Sequence, residues 1–271
     1  LVLFSLITVG YSANALGGAG GPLAVLIIAI VAAELGKAVS KETKVDILVT
    51  PLVTIFAGVG LSMLIAAPIG AAASQVGTLI MWATEQAPLV MGILVSVIVG
   101  VALTLPISSA AICAALGLTG LAGGAAVAGC CAQMVGFAVM SYKENGVGGL
   151  VSQGLGTSML QMGNIIKNPR IWIAPTLASA IIGPLATCLF HFEMNGAAVS
   201  SGMGTCGLVG QIGVYTGWVS DIAAGTKAAI TPMDWAAMVL LCFVLPAVLS
   251  VVFCEVERKL GWIKDGDLKL N

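Results

Sequence analysis

"TLPISSAAICAALGLTG" (residues 104–120) is too apolar for a loop in water, yet it opens on Pro106, carries Ser108 and Ser109, and is broken at Gly117 and Gly120. It is also too short and interrupted for an ordinary membrane span of ~20 apolar residues. Its reading depends on the chain around it. The 271 residues are 59% hydrophobic and only 8% charged, with a mean hydropathy of +1.08. Soluble domains carry roughly 25% charged residues, so this composition is that of an integral membrane protein.

Apolar runs punctuated by charge and turn residues predict the spans. Residues 1–12 are the remnant of one run, with the native N-terminus lying upstream, and 16–33 form a Gly-rich span. After the lysine-bearing loop 34–46 come a clean span at 47–67, a small-residue stretch at 70–84 and a span at 88–105. The segment 104–120 is followed by 121–140, the partly apolar 148–166, a span at 171–190, a second Gly/Ser-rich stretch at 196–217 and a last span at 234–254. The expected fold is an all-α polytopic membrane protein of roughly seven to ten helices. One transmembrane domain covers 1–255 and a cytoplasmic tail 256–271. "GAAASQVGT" (70–78) and "GAAVSSGMGT" (196–205) echo each other weakly, which allows an internal repeat of the kind transporters use.

Lys and Arg collect at Lys37, Lys41 and Lys44, at Lys143, at Lys167 and Arg170, and at Arg258 and Lys259. Cytoplasmic loops carry such excess. With all four groups inside, 104–120 must leave and return with 121–140 as a hairpin. The same parity makes 196–217 re-entrant, and 148–166 either re-entrant or flat along the interface. Non-helical backbone at membrane depth survives only where protein or a watery cavity satisfies it.

Candidate chemistry therefore concentrates in these interrupted segments. Pro106 removes a donor and disfavours helix at Leu105, so Ser108, Ser109 and the following N–H groups offer donors to an oxygen-rich ligand. The alternative is that the serines bond back to their own helix. Gln153, Thr157, Gln161 and Asn164 fall on one helical stripe, suited either to a hydroxyl-rich solute or to an interfacial helix. In "SSGMGTCGLVGQIG" (200–213) glycines permit tight turns. Ser200, Thr205 and Gln211 are its polar groups, with close helix packing as the alternative. "GMGTCG" (202–207) fits a dinucleotide fingerprint but follows no predicted strand. His191 and Glu193 make an acid–base pair or an exposed loop at an outer span end, and Glu85, Asp221 and Asp234 read as solvated ends. The seven cysteines read as small buried hydrophobes. No metal cluster, nucleophile motif, phosphate loop, cofactor site or nucleic-acid patch is evident, which argues against an enzyme.

"LPISSAAICAALGLTGLAGGAAVAG" (105–129), "KNPRIWIAPTLASAIIGPLAT" (167–187) and "SSGMGTCGLVGQIG" resemble the membrane IIC component of bacterial sugar phosphotransferase systems. The likeness is greatest to the branch of perfringolysin-regulator (PfoR) type. The resemblance runs from about residue 45 to 255. It implies a multi-pass protein of the bacterial inner membrane with its C-terminus in the cytoplasm, dimeric, with re-entrant hairpins around a sugar site. It places that site on Ser108, Ser109, Asn168 and Pro169, and on Gly202, Gly204, Thr205 and the residues up to Gln211. Phosphate transfer would reside in separate IIA and IIB proteins. Members of the better-known branch use a Glu, often with a His, beside the sugar; here Glu193 and His191 are the available pair. The expected function is transport of a small polar solute by alternating access, or, as the alternative, ligand sensing without transport.

Overall fold

The computed structural model describes residues 21–40 and 46–270. The apolar run 1–12 and the loop residues Lys41 and Lys44 lie outside them. The described residues are all-helical, without strands, in ten helices: α1 (Gly21–Val39), α2 (Asp46–Gln86), α3 (Pro88–Thr104), α4 (Ser109–Leu116), α5 (Gly120–Met140), α6 (Tyr142–Val151), α7 (Met162–Lys167), α8 (Pro169–Leu189), α9 (Val209–Ala223) and α10 (Pro232–Lys259). Four of them, α2, α5, α8 and α10, are long and apolar enough to cross a membrane, and α3 is a shorter apolar helix.

The chain forms two compact units. The first holds residues up to Gly77 together with Ala114–Leu116. Its core joins Ala24 and Ile28 of α1 to Ala66 of α2. The expected break between 47–67 and 70–84 is not there, because α2 runs unbroken for 41 residues with Pro51 and Pro68 inside it. A proline forfeits one backbone bond, whereas leaving the helix in hydrocarbon would strand several. Residues 70–78 are therefore helical, while their weak echo at 196–205 is broken into 3-10 turns.

The second unit, Thr78–Cys113 with Gly117–Asn271, is built on α5. In the apolar window of α5 89% of residues are buried, against 50% in α8 and 39% in α10, which makes α5 the central helix. Its Gly, Ala and Cys residues let neighbouring backbones approach closely. A side chain at Gly129 would overlap the Ser96 carbonyl of α3. Ser96 in turn donates to the Ser179 carbonyl of α8 at 2.9 Å, and Ser179 to the Gly129 carbonyl at 3.3 Å. The apolar faces of the surrounding helices point outward. Leu94, Ile98, Leu177, Ile181, Val248 and Val252 are all exposed, the reverse of a water-soluble protein and the arrangement that lipid solvates. The prolines late in the spans do not end them, since α8 and α10 continue through π turns at Leu185–Leu189 and Leu240–Val244.

Three stretches of this unit are broken. In 104–120 the helix covers only Ser109–Leu116, bounded by extended Leu105 and by Gly117 and Gly120 at φ +63° and +62°. The segment 148–166, where one helical stripe is expected from Gln153 to Asn164, contains a π turn (Ser152–Gly156), an extended Thr157, a 3-10 turn (Ser158–Gln161) and α7. The single stripe therefore does not form, and Thr157 turns aside to accept from the Met159 N–H at 3.1 Å. Residues 198–208 make two 3-10 turns before α9 begins.

Candidate solute site and the two ends of the bundle

At the Gly120 end of α5, Gly120 and Met194 exchange backbone hydrogen bonds of 3.0 Å each. This pairing holds the loop 190–197 across the ends of α8 and α9 and the start of α10. A side chain at Gly124 would overlap the Phe192 carbonyl, so the loop lies directly on the central helix. Between loop and helix ends is a cavity of about 610 Å³. His191, Glu193, Asn195, Asp221, Lys227 and Asp234 supply its polar lining, and Trp218 with Phe190 and Phe192 its apolar part. The Asn195 amide donates from one nitrogen to Glu193 Oε2 (3.1 Å) and to Asp221 Oδ2 (2.8 Å). It thereby holds two carboxylates side by side. Lys227 Nζ pairs with Asp234 Oδ1 at 2.7 Å and lies 5.5 Å from the centre of the Trp218 ring. Asp234 also accepts from the Thr231 N–H and hydroxyl, closing a capping box at the start of α10. Three carboxylates thus face one ammonium, and that ammonium is already paired.

Halfway along α5 the broken segments converge. Ser109 Oγ donates to the Gly202 carbonyl at 2.7 Å, and Thr205 Oγ1 to the Gly154 carbonyl at 2.6 Å. Gly204 lies against Cys130 and Cys131 so closely that a side chain would not fit. Gln133, fully buried, collects Thr104 Oγ1 (3.3 Å) and Trp172 Nε1 (3.0 Å) on its oxygen and donates to Thr176 Oγ1 (3.2 Å). Thr104 and Ser158 share a bond of 2.9 Å. Gln211 reaches Cys131 Sγ at 3.2 Å through its nitrogen, while its oxygen is buried without a partner among the described residues.

At the Met140 end the amides of the predicted stripe meet the segment 260–270. Gln153 donates to Ser141 Oγ (2.7 Å), and Gln161 to Gln153 Oε1 (2.9 Å) and the Leu268 carbonyl (2.9 Å). Asn164 donates to Gln161 Oε1 (2.8 Å) and the Lys269 carbonyl (3.0 Å). Asn168 donates to the Trp262 carbonyl and to Asp267 Oδ2, both at 2.9 Å. Glu144 accepts from Arg258 (3.0 Å) and the Leu268 N–H (2.8 Å). Lys143, Arg170 and Arg258 gather at this end, through Glu255, the Trp262 ring and Glu144 respectively.

The residues singled out in the sequence thus fall into three places. Ser109, Ser200, Gly202, Gly204, Thr205 and Gln211 lie in the convergence against α5. Gln153, Gln161, Asn164 and Asn168 lie under 260–270, and His191 and Glu193 lie in the cavity. Ser108 belongs to none of them: it is exposed and accepts from the Ala111 N–H at 3.2 Å, capping its own helix. Asp221 and Asp234, read as solvated ends, line the cavity. Gln133, Trp218, Lys227, Glu144 and Asn145 escaped the sequence reading. Gln133 carried a signal, being an amide in the middle of a run of Gly, Ala and Cys.

An all-helical bundle with outward apolar faces, interrupted segments meeting at its middle and a polar cavity at one end defines a multi-pass membrane protein with room for a small solute. The family described as "Phosphotransferase system, EIIC" matches residues 3–270, and the chain belongs to that family of membrane transport components. Phosphate transfer in such systems resides in other domains. Neither a curated protein nor a solved structure matches the chain.

Proposed function

We propose that the chain is the permease of a phosphotransferase-type system, moving a small sugar-like solute by alternating access across a bacterial inner membrane. The observation that carries this reading is the cavity. The Glu193 and Asp221 carboxylates, bridged by one amide, accept solute hydroxyls, while the aromatic wall covers an apolar sugar face. The Lys- and Arg-rich Met140 end faces the cytoplasm, and the cavity end the outside. The convergence of Ser109, Gly202, Thr205 and Gln211 is the next station inward, where re-entrant segments supply neutral donors and acceptors. Phosphate comes from separate IIA and IIB proteins, and the working unit is a homodimer.

Reconstitution in liposomes tests this directly. Sugars and polyols are screened by thermal shift and the uptake of each binder is followed; stabilisation with uptake supports the permease. Binding without uptake would favour the second reading, a ligand sensor akin to the perfringolysin-regulator branch.

A further inference from the structure

The cavity belongs to the site already described. The segment 260–270, which the site does not use, is held in an unusual way. It carries charges at Lys264, Asp265, Asp267 and Lys269, yet Ile263 and Leu268 are buried at 3% and 0% exposure, in one cluster with Phe137, Met140, Ile165 and Ile171. Around Leu268 four main-chain groups are read by side chains, while the Lys269 N–H turns back to the Gly266 carbonyl at 3.2 Å. Its N–H goes to Glu144, its carbonyl to Asn145 and Gln161, the Lys269 carbonyl to Asn164 and the Leu270 N–H to Asn145. Arg258 is tied to both sides of the contact, through Glu144 at 3.0 Å and Asp265 at 2.8 Å.

The receiving surface is the irregular part of the bundle. The π turn and 3-10 turn at 152–161 lack the continuous ladder that would fix an α-helix. They are positioned by Gln161 and the following Asn164 on the docked segment, by Thr205 and Thr104 in the middle of the bundle, and by Gln153 on Ser141 Oγ at the end of α5. Release of 260–270 frees the first pair and leaves the Ser141 bond and those in the convergence against α5, so that 152–161 is loosened about these remaining points. Among the described residues, the cavity end shares no hydrogen bond with this arrangement.

We infer that residues 260–270 are the gate of the Met140 end, a strap whose undocking loosens 152–161 and opens the path from the convergence against α5 to that face. As a gate for solute it rests on the permease reading, since alternating access needs one end open and the other shut. The strap itself is testable without any solute.

Hydrogen–deuterium exchange on the full chain in detergent micelles compares the native protein with Leu268→Asp and with the milder pair Asn164→Ala/Asn168→Ala. The expected result, in at least the milder variant, is a rise of about tenfold or more in exchange over 260–270 and over 152–161, with 221–234 at the cavity unchanged. A rise confined to 260–270 would overturn the inference, because the strap would then hold nothing. So would no rise in either variant, or an equal rise at the cavity end, which would make the segment an ordinary part of the core. Failure of solute uptake with the exchange pattern intact would count against the permease and not against the strap.

Discussion

The two ends of α5 treat their polar groups in opposite ways. At the Gly120 end, Glu193 and Asp221 share the hydrogens of a single amide and turn their remaining lone pairs to a cavity of about 610 Å³. At the Met140 end, the amides of Asn145, Gln161, Asn164 and Asn168 all donate to main-chain carbonyls of 260–270. The difference teaches that polar residues in a membrane bundle are not a site by virtue of being polar. A buried amide that finds a carbonyl is structural, and its value lies in the cost of leaving that partner alone. Carboxylates held apart from any cation, with space before them, are available to a ligand.

The largest effect that separates the ends is expected from Glu144→Ala. Glu144 and Arg258 are 10% and 13% exposed, and Glu144 also receives the Gly266 and Leu268 N–H groups. The substitution leaves Arg258 with Asp265 alone and takes the acceptor from the Leu268 N–H, a loss of about 1–3 kcal/mol, so the thermal midpoint in micelles drops by several degrees. Any ligand affinity at the cavity stays near its native value. Loss of affinity in step with the midpoint would mean the ends are not independent.

The reciprocal experiment is the double variant Glu193→Gln/Asp221→Asn. Hydrogen bonds to charged groups contribute about 1.5–3 kcal/mol each. Binding of a solute identified by thermal shift should therefore weaken at least tenfold, while the midpoint of the free protein is nearly unchanged. Native affinity in this variant would remove the cavity from the proposed path. A smaller effect is expected of Lys227→Met. The ammonium and Asp234 are 27% and 22% exposed, which limits their pairing to about 1 kcal/mol. Asp234 keeps its capping bonds from Thr231, so the variant folds and gains one unpaired carboxylate at the cavity. Solute affinity falls if Lys227 contacts the ligand and is preserved if its role is to hold α10.

How much of this was legible beforehand follows from the physics of each part. The spans at 88–105, 121–140, 171–190 and 234–254 are visible as long, predominantly apolar runs, and the structure has helices at all four. The breaks at 104–120 and 196–217 are visible because proline and glycine act locally. The partners of the polar residues are not visible. Gln161 and the Leu268 carbonyl are 107 residues apart, and no local pattern announces that an amide will meet them. The charged segment after 254 reads as solvated because charge dominates its composition. Its burial depends on two residues, Ile263 and Leu268, whose spacing matches no helix or strand. Likewise Asp221 and Asp234 sit at span ends in the sequence, and only the return of the loop 190–197 makes those ends the walls of one cavity.

Ser108 and Ser109 sharpen the same contrast at the scale of adjacent residues. Ser108 is exposed and its hydroxyl caps α4 through the Ala111 N–H, whereas Ser109 is 3% exposed and donates to the Gly202 carbonyl across the broken segments. Loss of a cap costs about 0.5–1 kcal/mol. Ser108→Ala should thus lower the midpoint slightly and leave solute binding and exchange at 198–208 unaltered. Ser109→Ala leaves the Gly202 carbonyl without that donor, so exchange at 198–208 should rise while α4 keeps its cap. If Ser108→Ala instead weakened solute binding severalfold, the hydroxyl would be a ligand group as well as a cap, and the convergence against α5 would extend one residue further toward Pro106.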